Sequence, residues 1–175
     1  MNDRVFLIYI WNRYLLETGS MAKSLDLIKE TEFYCDLRTR DGQLQLSYLD
    51  NNRGIIAMQH QQQDEAREWL TKAEAVRKQY LGELNVNTVA TQGNIALTLI
   101  NQRRWQDLID YNEPRARLEA SGSLSHIPVR LRSPIYDILS LAYLETNNLD
   151  KAWIAIETST NLTANVIPVY SQYSG

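Results

Sequence analysis

Apolar residues recur along most of this chain at helical spacing, interrupted by short polar stretches. Between Gly54 and Gly82 the pattern describes two amphipathic helices separated by a polar break, Gln61-Gln62-Gln63-Asp64. Ile56, Leu70 and Val76 supply the bulk of the buried stripes, and Gly54, Ala66 and Ala73 are small residues where two helices can touch closely. The unit recurs. A step of 42 residues back from Gly54 reaches Asn12, a step of 42 forward reaches Ala96, and a further 44 reaches Ser140. Twelve residues after these anchors stand Ser24, Ala66, Leu108 and Ala152. The polar breaks fall at equivalent places, 18–20, 60–63, 102–104 and 146–148. A repeated helix pair cannot bury its apolar side alone, and stacking on the next pair makes one continuous core.

This periodicity predicts eight helices over about 4–17, 20–38, 43–60, 64–81, 87–102, 105–119, 133–146 and 148–165. The fold class is all-α, an α-α superhelix of about four helix-turn-helix repeats, with one helical-repeat domain over 1–165. An irregular tail is expected over 166–175, where Pro168 stands. Gly54, Ala66, Ala73, Ala96, Leu139, Tyr143 and Ala152 are the residues expected to pack repeats together. Asn112-Glu113-Pro114 breaks the pattern: a proline there loses a backbone hydrogen bond, so the helix is expected to kink or break near Glu113.

Two segments carry a resemblance to a known family. Leu139-Ser140-Leu141-Ala142-Tyr143, a polar turn, and Leu149-Asp150-Lys151-Ala152 resemble the tetratricopeptide repeat (TPR) core. Tyr80-Leu81-Gly82, followed by Val89-Ala90-Thr91 and Asn94-Ile95-Ala96-Leu97, resembles the 42-residue repeats of kinesin light chains and fungal TPR proteins. The likeness covers nearly the whole chain and is best over 44–160. It implies a TPR-like solenoid in which the first helix of each pair lines a concave face. It also implies a scaffold that binds a peptide segment of a partner protein on that face.

On those first helices Asn52 and Asn94 share an offset, and Gln59 and Asn101 follow each by seven residues, about two turns. Amides can donate to and accept from an extended peptide backbone. Ile55 and Leu97, between them, could hold apolar side chains. The same residues could equally be exposed amides on a helix. Family members that grip a terminal carboxylate use a set of basic residues. The matching positions here include Asn51 and Ile138, without such a set.

Composition narrows the function further. The chain has 175 residues, 44% hydrophobic and 22% charged, with a formal net charge of −3. That charge gives no electrostatic case for nucleic acid or an anionic membrane. The apolar run Val5 to Trp11 is too short to span a bilayer, which takes about 20 residues, and does not read as a signal peptide. The single cysteine, Cys35, reads as a small packing residue and fits a reducing, cytoplasmic setting. No catalytic constellation, metal set or cofactor motif is visible. The alternative is an enzyme or small-molecule pocket in the irregular third repeat, around Tyr111, Arg115 and His126. Six arginines between Arg103 and Arg132 are interleaved with Asp107, Asp110, Glu113 and Glu119, as on a solvated edge.

The run Val5 to Trp11 covers the whole circumference of its helix, so one side remains to be covered. Phe6 and Ile10 are the candidate contacts for a homo-oligomer, a partner subunit or a longer parent chain.

Overall fold

The structure, a computed structural model, describes residues 3–164, with side chains from residue 7 onward except those of Tyr9 and Arg13. The expected tail, 166–175, and the side chain of Phe6 lie outside what is described. Eight helices follow one another, and no strand occurs among the described residues. They are α1 (Asp3–Glu17), α2 (Met21–Glu32), α3 (Arg40–Gln59), α4 (Gln63–Leu81), α5 (Val86–Asn101), α6 (Trp105–Ala120), α7 (Val129–Glu145) and α8 (Leu149–Ala164). The chain forms two compact units, residues 1–98 and 99–175, divided within α5. In the first unit α1 packs on α2, α3 on α4, and α3 also touches α1 and α2. In the second, α6 packs on α7 and α7 on α8.

One turn is built four times. Gly19, Gln61, Arg103 and Asn147, each in the break between two helices of a pair, have φ of +74°, +62°, +54° and +58°. Around each, two backbone N–H groups reach back to free carbonyls of the preceding helix. Ser20 donates to Leu15 and Gly19 to Leu16, Gln62 to Ala57 and Gln61 to Met58, Arg104 to Leu99 and Arg103 to Ile100, Asn148 to Tyr143 and Asn147 to Leu144. This is the left-handed helix stop with paired return bonds. Only the first uses glycine; the others hold a residue with a Cβ where glycine is favoured.

The crossing inside each pair follows the anchors. In the first unit Asn12 and Ser24 are buried and joined, the Asn12 amide donating to the Ser24 carbonyl at 2.9 Å. At Gly54 an added Cβ would sit 2.5 Å from Leu70 Cγ and 3.0 Å from the Ala66 carbonyl, so nothing larger than hydrogen fits without repacking. Ala66, Ala73 and Ala96 are fully buried, as is Leu108; Leu139, Tyr143 and Ala152 are buried as well.

Three boundaries differ from expectation. α2 stops at Glu32 rather than near 38, because Asp36 accepts from the Arg38 backbone N–H and side chain and Thr39 caps α3 by accepting from Gly42 N. Gly42 lies directly on that turn: a Cβ there would fall 2.0 Å from the Asp36 carbonyl oxygen. α7 begins at Val129, straight after Pro128, so Pro134 lies inside it. α6 runs through Pro114 without a break. The proline is exposed, and the residues beyond it are held by side-chain bonds: Arg115 donates to Asn112 Oδ1 at 2.7 Å, and Glu119 accepts from Arg132 at 2.6 Å. Those contacts outweigh one lost backbone bond.

Candidate functional site

In the first unit, α3 and α5 lie side by side and are tied by amides. Asn52, one of the expected groove residues, is 2% exposed. Its amide donates to Asn12 Oδ1 on α1 at 2.6 Å. A buried amide so engaged is not offered to a peptide, and Asn52 belongs to the helix packing instead. Asn94, at the same offset, is half-buried and donates at 3.3 Å to Asn51 on α3. Thr91 donates to the same Asn51 oxygen, and the Asn87 amide donates to the Tyr48 hydroxyl at 3.2 Å. The shared offset thus marks a rung between neighbouring first helices, repeated once along the chain.

The outward stripe of these two helices consists of other positions. On α3 it runs through Tyr48, Asn51, Ile55 and Gln59; on α5 it runs through Ala90, Gly93 and Leu97. Ile55 is half-buried, Gln59 is exposed, and Leu97 is 42% exposed. Asn101 is exposed at the end of α5 and falls in the second unit. Gly93 was not singled out from the sequence. It sits in the interior of α5 with ordinary helical backbone, and a Cβ built on it meets nothing within 4 Å. Glycine inside a helix costs roughly 0.5–1 kcal/mol relative to alanine. Neither a turn nor a close crossing explains it here. An isolated glycine in a helical pattern was the signal that could have found it.

Each unit has a cavity. The first unit's, about 320 Å³, is lined by Leu25, Ile56, Ala57, Arg53, Glu32 and Trp69 among others. Arg53 spans it, pairing with Glu32 and, at 3.1 Å, with Asp50, while its guanidinium lies 4.7 Å above the Trp69 ring. Burial pushes the Asp50 carboxyl up to about 6, and Arg53 offsets only part of that. The second unit's cavity, about 570 Å³, lies among α6, α7 and α8, with Leu139, Ile154, Ala155 and Leu162 as apolar walls. At its rim Glu113 accepts from the Tyr143 hydroxyl at 2.7 Å and from Lys151 at 3.0 Å. The Tyr143 bond, with Lys151, holds the Glu113 carboxyl below its ordinary range, and burial first, then Glu113, raises the Tyr143 phenol.

Tyr111 and Arg115 lie together on α6, and His126 lies on the connector that follows it. Arg115 is buried with its guanidinium 5.9 Å from the Tyr111 ring, His126 is exposed on the connector, and none of the three lines either cavity. No group of three or more metal-ligating side chains is found among the described residues. Of the arginines, Arg104 pairs with Asp107 and Arg117 with Glu113 as on a solvated edge, whereas Arg115 is buried and Arg132 pairs with the buried Glu119 between α6 and α7, which corrects the expectation for those two. Cys35 is buried, its thiol aimed at the Thr31 carbonyl, and burial raises its pKa.

No protein-family model matches the chain, and no curated protein matches it. Solved structures do. A Podosopora anserina protein described as a kinesin light chain with nearly identical TPR-like repeats superposes with a TM-score of 0.59 at 15% identity, covering 95% of this chain and 99% of that one. A single-substitution variant of it gives 0.58 at 15% identity, with 93% and 96% covered. BtubC from P. vanneervenii gives 0.50 at 16% identity, with 91% and 79% covered. With the repeated turns and crossings, these likenesses establish that the chain has an all-α, TPR-like helical-repeat fold.

Proposed function

We propose that this chain is a protein-interaction scaffold that takes a peptide segment of a partner along the outward stripe of α3 and α5. The observation that carries the reading is Gly93. The fold gains nothing from a glycine at this point, yet its missing side chain leaves an open notch beside exposed Leu97. A peptide backbone can approach the α5 backbone there, with Leu97 and Ile55 beneath an apolar side chain and Gln59 and Asn94 as polar neighbours. The fold class of the structural neighbours, helical repeats, supports the same use. The net charge of −3 argues for a protein partner over nucleic acid, and we place the chain in the cytoplasm on its single buried cysteine. No helix among the described residues is long and apolar enough to cross a membrane.

The test starts from peptides selected against the wild-type protein from a random displayed library. Gly93→Leu fills the notch and Leu97→Asp charges its edge; each is expected to weaken a selected peptide at least about tenfold, which corresponds to about 1.4 kcal/mol. Gly93→Ala is expected to stabilise the helix. Selected peptides that bind both variants as tightly as wild type, with helicity unchanged, would show the groove to be elsewhere. Self-association through α1 is a separate part of the proposal: Ile10 is 49% exposed, beside Leu7 and Trp11.

A further inference from the structure

Three second helices present equivalent positions to the first helix that follows. On α2 and the turn that follows it they are 25, 28, 32 and 35: Ile28 and Cys35 share a core with Leu49 and Ile56 of α3, and Glu32 pairs with Arg53. On α4 they are 67, 70, 74 and 77: Glu74 accepts from Gln92, and Arg77 donates to the Asn87 carbonyl and to Thr91, all on α5. On α6 they are 109, 112, 116 and 119: the Ala116 carbonyl accepts from the Tyr136 hydroxyl, and Glu119 pairs with Arg132, both on α7. Each set stands 42 residues after the last. The 44-residue step of the final repeat leads from the α6 set to Trp153, Ile156, Thr160 and Thr163 of α8. There Trp153 is 68% exposed and Ile156 41%, whereas Ile28, Leu70 and Asn112 at the position of Ile156 are fully buried.

The matching side of the first helices shows the same contrast. Leu49 and Ile56 of α3, and Thr91, Ile95 and Thr98 of α5, are all buried. One step of 42 back from positions 49, 53 and 56 lie Leu7, Trp11 and Tyr14 of α1, exposed by 65%, 56% and 53%. Trp11 and Tyr14 stack on each other at 5.4 Å. The two bare faces are therefore the two halves of a joint that the chain makes repeatedly within itself. Leu7 and Trp153 are apolar where the α4–α5 joint has Thr91 and Arg67, and Trp11 and Ile156 match its apolar Ile95 and Leu70, so water is a poorer neighbour for them than a helix.

We infer that the occupant of the α8 face is α1 of a second copy of this chain, seated where a fifth first helix would lie. The contact is heterologous: Leu7, Trp11 and Tyr14 of one copy meet Trp153 and Ile156 of the next, and each copy added brings a fresh α8 face. The inference rests on the self-association proposed for α1 and is independent of the peptide groove.

Light scattering after size exclusion, from micromolar to near-millimolar protein, tests it. The wild-type mass is expected to climb above 20.3 kDa with concentration. Leu7→Asp with Trp11→Asp, and separately Trp153→Asp with Ile156→Asp, are each expected to remain single chains with unchanged circular dichroism; a serine pair replaces any aspartate pair that loses helicity. An equimolar mixture of the two variants retains one intact face of each kind, so it is expected to form a complex of two chains and grow no further. A wild type that stays at one chain throughout overturns both the inference and α1 self-association. An α8 variant that associates like wild type while the α1 variant does not overturns the head-to-tail joint and leaves an α1–α1 contact standing. Folded variants that fail to pair in the mixture also overturn it.

Discussion

The α2–α3 and α4–α5 joints, both within residues 1–98, share one register and hold by different chemistry. Cys35 and Arg77 stand 42 residues apart at equivalent positions, as do Ile28 and Leu70. In the first joint Ile28, Cys35, Leu49 and Ile56 fill the space with apolar atoms. In the second, Arg77 is 3% exposed, lies 4.6 Å from the Tyr48 ring, and donates to the Ser47 and Asn87 carbonyls and to Thr91. Helix geometry sets which positions meet; the side chains set how the joint fails. An apolar joint loses stability in proportion to the volume removed, whereas a buried polar network leaves several groups without partners when one member goes.

The largest effect is therefore expected at Arg77. Arg77→Ala should cost about 3 kcal/mol, since two buried carbonyls lose a charged donor together. Arg77→Lys should recover little of it, because an ammonium cannot reproduce the planar fork. At the apolar joint, Ile28→Val should cost only about 0.5–1.5 kcal/mol. Urea unfolding of the three variants checks the contrast, and equal losses at Arg77→Lys and Ile28→Val would abolish it.

The apolar joint has one charged border, and pH reads it. Asp50 is 5% exposed and its carboxyl stands at about 6, above the ordinary 3.8. The native state thus holds this proton more tightly than the unfolded chain does. The group's stabilising contribution is full below pH 3.8 and is lost as pH rises through about 6. Asp50→Asn removes that loss and is expected to gain on the order of 1 kcal/mol near neutral pH, with the gain fading under acid. Melting temperatures of both proteins across that pH range decide the matter; a variant less stable than wild type at neutral pH would mean that the 3.1 Å bond to Arg53 outweighs the burial.

The smallest effect is expected in the turn shared by all four repeats. Gln61 holds φ +62° where Gly19 holds its equivalent in the first repeat. Gln61→Gly should stabilise by about 0.5 kcal/mol, the strain of a left-handed residue less the added chain entropy. A lower melting temperature in the variant would show that the Gln61 side chain does more than occupy the turn.

Much of the fold was legible because helix crossings demand small or buried residues at a fixed interval. Asn12, Gly54 and Ala96 announce that interval, and the buried residues twelve positions on confirm it. The candidate groove was less legible. The offset shared by Asn52 and Asn94 was correctly read as a repeat, but an amide reads the same whether it meets a peptide or Asn12, 40 residues away. Gly93 stood in the pattern without any sign that the space around it is open.

The sequence by itself determined the helical period, the four-fold repetition and the polar breaks, since these depend on residue type along the chain and on helix geometry alone. Only the tertiary structure decided that α6 passes through Pro114, because the Glu119–Arg132 bond to α7 that holds its second half is made after the helix packs. It likewise decided that Asn52 is buried and that Leu7, Trp11 and Tyr14 of α1 and Trp153 and Ile156 of α8 are not. Burial depends on what lies across a face, and that neighbour comes from a part of the chain that local pattern does not specify.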